Sequence, residues 1–371
     1  MRLLALAETL AGERRVVLVP ETAARLTTTG LEVLIETGAG RGAFIADEDY
    51  AAAGARVIDD RAAALGDADL VISVEPVPMT EAALLRRGTV TVSMLAPATY
   101  PQEIDGLARN GATAFALELV PRTTRAQSMD ALSSQSLVGG YRAALAAAWL
   151  LPRFFPMFMT AAGTVKPAQV LVLGTGVAGL QAIATARRLG AQVTAYDVRP
   201  TAADEVRSLG AAFLSLELES QEGVGGYARA QSQDFLRRQR EVLAEHLTMM
   251  DAVITTAAVP GRPAPLLITA EMVAGMAPGS VIVDLAADSG GNCELTRPGE
   301  QLDHHGVTVY GVSQPASDLA RHASELLARN VAAFVDLLVR DGEVDPDWSD
   351  EIVTACCVVR DGKILVSGDP T

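Results

Sequence analysis

Short apolar runs alternate with amphipathic stretches over the first 120 residues of the chain. LLALA, RVVLV, LEVLIE, ARVID, DLVISV, TVTVSML and TAFALEL have the length and branched content of strands. Between them, ETAARLTTTG, DRAAALG, TEAALLRRG and PQEIDGLARNG space their apolar residues as helices do. Several of these close on a glycine, which accepts the left-handed conformation of a helix C-terminus. The alternation predicts a parallel sheet with helical crossovers, the α/β class.

A helical stretch from about Ala131 to Leu151 follows and leads into the connector PRFFPMFMTAAGTVKP. A second α/β series then starts at QVLVLG and continues through QVTAYD, AAFLSL, DAVITT and SVIVDLA. Near Val307 the pattern changes to VTVYG, the long helix DLARHASELLARNVAAFVDLLVRDG, and IVTACCVVRDGKILVSG. The last segment reads as two strands joined at Asp361-Gly362, a two-residue hairpin turn. The expectation is two Rossmann-like, doubly wound α/β domains. Residues 137–305 form one, inserted into a discontinuous first domain made of 1–136 and 306–371. A cleft between domains is the expected active site.

Composition narrows the function classes. The net charge of −15 repels a phosphate backbone and an anionic lipid surface, so nucleic acid is not an expected partner and direct membrane docking is disfavoured. The first apolar run ends at Glu8, too soon for a signal-peptide core, and AALAAAWLLP is too short to span a bilayer. Cys293, Cys356 and Cys357 make no disulfide framework, which fits a reducing compartment, and no cluster has metal-ligand spacing.

The candidate chemistry begins in VLVLGTGVAGLQAIATARRLGAQVTAYD. An apolar strand runs into Gly174-Thr-Gly176-Val177-Ala178-Gly179, and a helix of small residues follows. Gly174 permits the tight turn, Gly176 leaves room for a pyrophosphate, and Gly179 lets helix and strand approach. The helix N-terminus then offers free N–H groups to the phosphates. Asp197 ends the next strand, where its carboxylate can accept both ribose hydroxyls and repel a 2′-phosphate, with Val198 and Arg199 beside it. The string reads as a site for NAD(H). A second glycine run, Gly38-Ala-Gly40-Arg-Gly42, also follows a strand, with Asp59 further on. FIADEDY places three carboxylates where phosphates would sit, so this run reads as a tight turn.

The residues resemble a known family. ETLAGERRV, VPRTTRAQSMDALSSQ, the glycine loop, GGYA, TTAAVPGRPAPLLIT and GSVIVDLAADSGGNCE are similar, almost end to end, to the soluble NAD(H)-binding alpha-1 subunit of proton-translocating nicotinamide nucleotide transhydrogenases. The fold is shared with alanine dehydrogenases. The resemblance implies direct, Re/Si-specific hydride transfer between NADH and NADP+, the latter bound only on a partner subunit. It also implies membrane partner subunits that carry the proton channel, a homodimer, and a cytoplasmic place peripheral to the inner membrane. It assigns Arg122, Gln127 and Asp130 to the nicotinamide, and Gly226 and Tyr227 to a lid over the nucleotide. Ala257 and Ala258, with Pro260, fall along the nicotinamide half, and Asp288 in its pocket. On the residues alone, 121–130 reads better as a polar helix start with ordinary caps, and 223–227 as a plain surface loop.

Two other functions stay open. An alanine dehydrogenase needs proton transfer and a place for a carboxylate, and its family supplies a lysine and a histidine from the first domain. Val74 and Met94 stand at those positions here, and His246, His304, His305 and His322 all lie elsewhere. Arg15 suits both families. Asp288 is also familiar from alanine dehydrogenases, and GVSQPASDLARHAS departs from the transhydrogenase pattern. A non-catalytic NAD(H) sensor is the third reading.

Overall fold

A computed structural model describes residues 1–215, 233–258 and 261–365. Its contacts divide into two compact units, 1–135 with 316–371, and 136–315.

The first unit opens with six parallel strands: β1 (Arg2–Ala5), β2 (Glu32–Glu36), β3 (Arg56–Ile58), β4 (Leu70–Ile72), β5 (Val90–Ser93) and β6 (Thr113–Ala116). Strands β4, β5 and β6 are buried along their whole length, and β4 reads as an unbroken apolar run while β5 and β6 bury Thr91, Ser93 and Thr113 among apolar residues. RVVLV, expected as a strand, is an extended coil without a ladder partner. Its branched residues fit the β region, but side chains hold its backbone instead. Val16 N donates to Ser324 Oγ at 2.9 Å, and Tyr50 Oη donates to Leu18 O at 2.8 Å.

The second unit begins within the helix Ala131–Leu150 and then forms a small antiparallel hairpin, β7 (Phe158–Thr160) with β8 (Gly163–Val165). Its main sheet contains β9 (Gln169–Leu173), β10 (Gln192–Tyr196), β11 (Ala212–Phe213), β12 (Ala252–Thr255), β13 (Val281–Asp284), β14 (Gln301–His304) and β15 (Val307–Gly311). The order is β11-β10-β9-β12-β13-β15-β14, parallel except for β14. The sequence pattern places the return to the first domain at 306. The structure keeps Val307–Gly311 in the second sheet, paired with β13 from Val281↔Thr308 to Asp284↔Gly311, and the return begins at Ala316.

The returning segment carries the helix Ala320–Leu338, whose apolar stripe lies in the first unit's core, and the short hairpin β16 (Val339–Arg340) with β17 (Glu343–Val344). IVTAC, part of a segment expected as strand, lies in a helix, Glu351–Cys356. Asp350 caps it, and Ile352, Val353 and Cys356 fall on its buried face. Only then come β18 (Cys357–Arg360) and β19 (Lys363–Ile364), which extend the first sheet to β19-β18-β6-β5-β4-β1-β2-β3. Asp361 and Gly362 join them with φ of 47° and 79°, the positive pair of a type I′ turn.

Candidate functional site

In the second sheet the chain runs from β9 outward to β10, then returns to place β12 on the other side of β9. The carboxyl ends of β9 and β12 therefore diverge, which is where open α/β sheets bind ligands. Two of the expected segments meet there: the glycine loop after β9 and the Thr256–Ala258 turn after β12.

Three glycines do separate jobs in the loop. Gly174 takes φ +93°, and its carbonyl accepts from Thr256 Oγ1 at 3.1 Å. A Cβ on Gly179 would lie 2.0 Å from Gly174 O, so only glycine lets the helix start this close to the strand. A Cβ on Gly176 would meet nothing within 4 Å. Gly176 is the N-cap of the helix Val177–Arg188 and has no capping side chain. The helix thus presents its first N–H groups and positive end toward open space. Val177 is exposed and Ala178 half-buried at this first turn. Sequence reasoning missed Gly140, whose Cβ would lie 2.0 Å from Ala178 O. A glycine pair inside an apolar helix was the signal for that close approach.

Asp197 sits at the end of β10 with 8% of its side chain exposed. Its Oδ2 accepts from Thr175 N and Thr175 Oγ1, both at 2.8 Å. Its Oδ1 accepts from Arg199 N and Nε, both at 2.9 Å, and Arg199 Nη2 reaches Oδ2 at 3.0 Å. Burial works against the charge, but the Arg199 and Thr175 hydrogen bonds outweigh it and hold the carboxyl below its usual range. Val198 is half-buried beside it. The sequence located this carboxylate and its arginine, but the closure of one over the other is a side-chain conformation that spacing does not reveal.

Ala257 is latched in both directions by Asn292. Its N–H donates to Asn292 Oδ1 at 3.0 Å, and Asn292 Nδ2 donates back to Ala257 O at 2.8 Å. Ala258 is exposed next to it. Asn292 is in turn fixed by Asp284, fully buried, which accepts from Asn292 N, Cys293 N, Ala286 N and Thr296 Oγ1. Asp284 is a scaffold whose two oxygens are engaged by these neighbours. Asp288 is exposed and accepts from Ser313 Oγ at 2.7 Å and from Gln314 N at 3.1 Å. Gly226, Tyr227 and Pro260 lie outside the described residues.

Arg122, Gln127 and Asp130 belong to the first unit. Thr124–Met129 is a 3-10 helix that buries Ala126 and Met129, while Arg122 and Gln127 are exposed. Asp130 starts the helix Ala131–Leu150 by accepting from Ser133 N at 2.8 Å and Ser133 Oγ at 2.6 Å.

The first sheet has its own divergence between β1 and β4, with a cavity of about 230 Å³ lined by Glu8, Arg61, Glu75, Tyr100 and Glu103 among others. Arg15 is tied to Glu13 by Nη2 to Oε2 at 2.6 Å and Nε to Oε1 at 2.9 Å, and its Nη1 donates to Gln135 Oε1 at 3.0 Å. Val74 is fully buried, and Met94 packs against the core. Among the described residues, no group of three or more histidine, cysteine, aspartate or glutamate side chains is arranged to hold a metal, and no helix is long and apolar enough to cross a membrane.

The family described as alanine dehydrogenase/PNT, N-terminal domain, matches residues 5–139, and its C-terminal domain counterpart matches 143–367. The first part of the NAD(P) transhydrogenase alpha subunit of Rhodospirillum rubrum is 46% identical over 370 residues, 95% of each chain. A transhydrogenase structure from Sinorhizobium meliloti superposes with a TM-score of 0.89 at 41% identity, over 98% of this chain and all 100% of that one. An alanine dehydrogenase of Mycolicibacterium smegmatis is 30% identical over 360 residues, covering 95% of this chain and 91% of its own.

Proposed function

The chain belongs to the alanine dehydrogenase/PNT family, and from that premise we propose that it is the NAD(H)-binding component of a nicotinamide nucleotide transhydrogenase. The observation that carries the nucleotide is the helix start at Gly176, uncapped and facing open space, with Asp197 at the end of the neighbouring strand. These residues fit a dinucleotide. The first-turn N–H groups would hold the pyrophosphate. Asp197 would take the adenosine ribose once the Arg199 guanidinium moves off it, and a carboxylate there disfavours the 2′-phosphate of NADP. Ala257 and Ala258, kept in place by Asn292, would flank the nicotinamide half, with Asp288 in the same pocket.

When bound, NADH supplies a hydride from C4 of its dihydronicotinamide, and C4 of NADP+ on a partner subunit accepts it. No proton moves at either carbon, so the chain's task is to orient and to exclude water. Arg122 and Asp130 would fix the nicotinamide end and Gln127 would meet the incoming acceptor. Membrane subunits carrying the NADP(H) domain would couple the transfer to proton translocation and hold this chain at the cytoplasmic face of the inner membrane. A homodimer completes the reading. Trp149 is 87% exposed and Met159 78%, with Phe158 beside it on the β7–β8 hairpin, and such apolar surface favours burial against a second copy.

The first unit supports transhydrogenation over amino-acid oxidation. Its lysine and histidine positions hold Val74 and Met94, and Arg15 is held by Glu13. Asp288 is the residue that favours the alternative, an alanine dehydrogenase-like enzyme, and its carboxylate is engaged by Ser313 and Gln314. The test mixes the purified chain with an NADP-binding partner domain and follows reduction of an NAD analogue by NADPH. Turnover is expected. No turnover with both nucleotides bound rejects the proposal, and alanine-dependent NADH formation establishes the alternative.

A further inference from the structure

The loop 121–130 is tied to the returning segment of its own unit by apolar packing and by hydrogen bonds. On the inner side, Ala126 and Met129 are one 3-10 turn apart and enter the core that also contains Leu327, Val331 and Phe334 of the helix Ala320–Leu338. A period of three turns Gln127 and Ser128 away from that core, and both are exposed. Two side chains of the returning segment also grip the loop, the buried Asn330 of that same helix and the half-buried Asp350. Arg125 Nη1 and Nη2 donate to Asp350 Oδ2 and Oδ1, both at 2.6 Å. Asn330 Nδ2 donates to the Ser128 carbonyl at 2.8 Å, while its Oδ1 accepts from Ser134 Oγ at 2.7 Å.

Both grips are themselves fixed. Asp350 accepts from Ile352 N at 2.8 Å as the cap of the helix Glu351–Cys356, and the Arg125 hydrogen bonds hold its carboxyl below the usual range. Asn330 stands in the middle of a 19-residue helix. Gln127 lies between the two gripped residues, Arg125 and Ser128.

We infer that Asp350 and Asn330 are positioning residues for hydride transfer, holding Arg125 and the Ser128 carbonyl so that Gln127 is presented in one place. This rests on the function proposed above. An ion pair with Arg125 half exposed adds little to stability, whereas a two-pronged guanidinium–carboxylate contact fixes direction. A hydride donor and acceptor need that kind of placement, since a shift of about 1 Å can cost roughly a hundredfold in rate.

The test compares Asp350→Asn and Asn330→Ala with the unaltered chain. Three quantities are read: NADH affinity, the rate of hydride transfer to NADP+ on the partner domain, and the rate of tryptic cleavage after Arg122. Affinity is expected within about threefold, transfer slowed about tenfold or more, and cleavage accelerated. Asp350→Glu keeps the carboxylate and should recover much of the transfer rate. Arg340→Gln, which breaks the Arg340–Asp347 pair in the same segment, serves as the control and should leave transfer unchanged. The assignment is overturned if both variants transfer normally beside an active unaltered chain, if the slowing merely follows lost NADH affinity, or if Arg340→Gln slows transfer equally. An unaltered chain that binds both nucleotides and transfers nothing overturns the proposed function, and the positioning role with it.

Discussion

Two turns in this molecule share a layout: strand, glycine run, helix, and an acid some twenty residues on. After β2, the N–H of Gly38 donates to both oxygens of Asp47, at 2.9 and 3.1 Å. A Cβ on Gly42 would lie 2.5 Å from Arg14 O, and the helix that follows, Asp47–Ala52, has six residues. Asp59 accepts from Thr37 Oγ1. After β9, the cap position faces open space, and the helix Val177–Arg188 has twelve residues. Glycine in such a turn records that something approaches the backbone closely. In the first turn that something is the protein's own chain and carboxylate; the second leaves the place open. The residues just after the glycines decide which.

The comparison can be broken most forcefully at the two tightest contacts. Gly179→Ala and Gly42→Ala each drive a methyl into a carbonyl oxygen, and each should cost about 3 kcal/mol or more of stability. Only Gly179→Ala should also abolish NADH binding by the folded fraction, as thermal unfolding and NADH fluorescence titration would read. Loss of binding in Gly42→Ala at an unchanged Tm would mean the first turn holds nucleotide after all.

Gly176→Ala separates ligand from fold. Gly176 has φ −71°, which alanine adopts freely, and its Cβ meets nothing, so Tm should hold while NADH affinity falls about tenfold or more. Unchanged affinity would move the pyrophosphate elsewhere.

Asp197→Asn comes next. It should weaken NADH binding by about 1–3 kcal/mol through lost charge-assisted hydrogen bonds. It should also alter the acid limb of stability. The folded carboxyl titrates below its ordinary range, so its contribution is present at neutral pH and is lost as pH falls through the folded value. Unfolding followed across that acid range should show a shallower decline in the variant, and an identical decline would mean that Arg199 does not stabilise the charge. The smallest effect belongs to Asp47→Ala, which should lower stability by about 1 kcal/mol, as loss of a backbone-capping acceptor does, and leave one NADH per chain by calorimetry. A second binding event would erase the distinction between the turns.

The turn after β9 was legible because its meaning is local: strand, glycines, helix and Asp197 all fall within one βαβ unit. The same holds for Asp361-Gly362, where two positive φ values follow from residue type. RVVLV misled because branched residues fit any extended backbone, and whether a neighbouring strand pairs with it is decided far away. VTVYG was recognisable as a strand, but parallel pairing with β13 is set by the sheet and not by the segment. At IVTACC the branched residues read as strand, although Asp350 and Glu351 carried the start of a helix. The Arg199 guanidinium on Asp197 and the Asp350 fork on Arg125 were invisible for another reason. They are choices among rotamers, made only once the backbone is in place.

The late arrival of β18 also sets a timetable for synthesis. β18 pairs with β6, and Asp361 N donates to Thr113 Oγ1 across 248 positions of chain. On a translating ribosome β6 is therefore made long before its neighbour, and its open edge waits while the intervening unit is completed. Contacts this distant in sequence form slowly, and an unpaired edge is a template for wrong association. The first unit's sheet thus closes last, after the inserted unit has had time to fold, and an arrest that leaves the segment after Arg340 unmade would expose the flank of β6 to aggregation or to a chaperone.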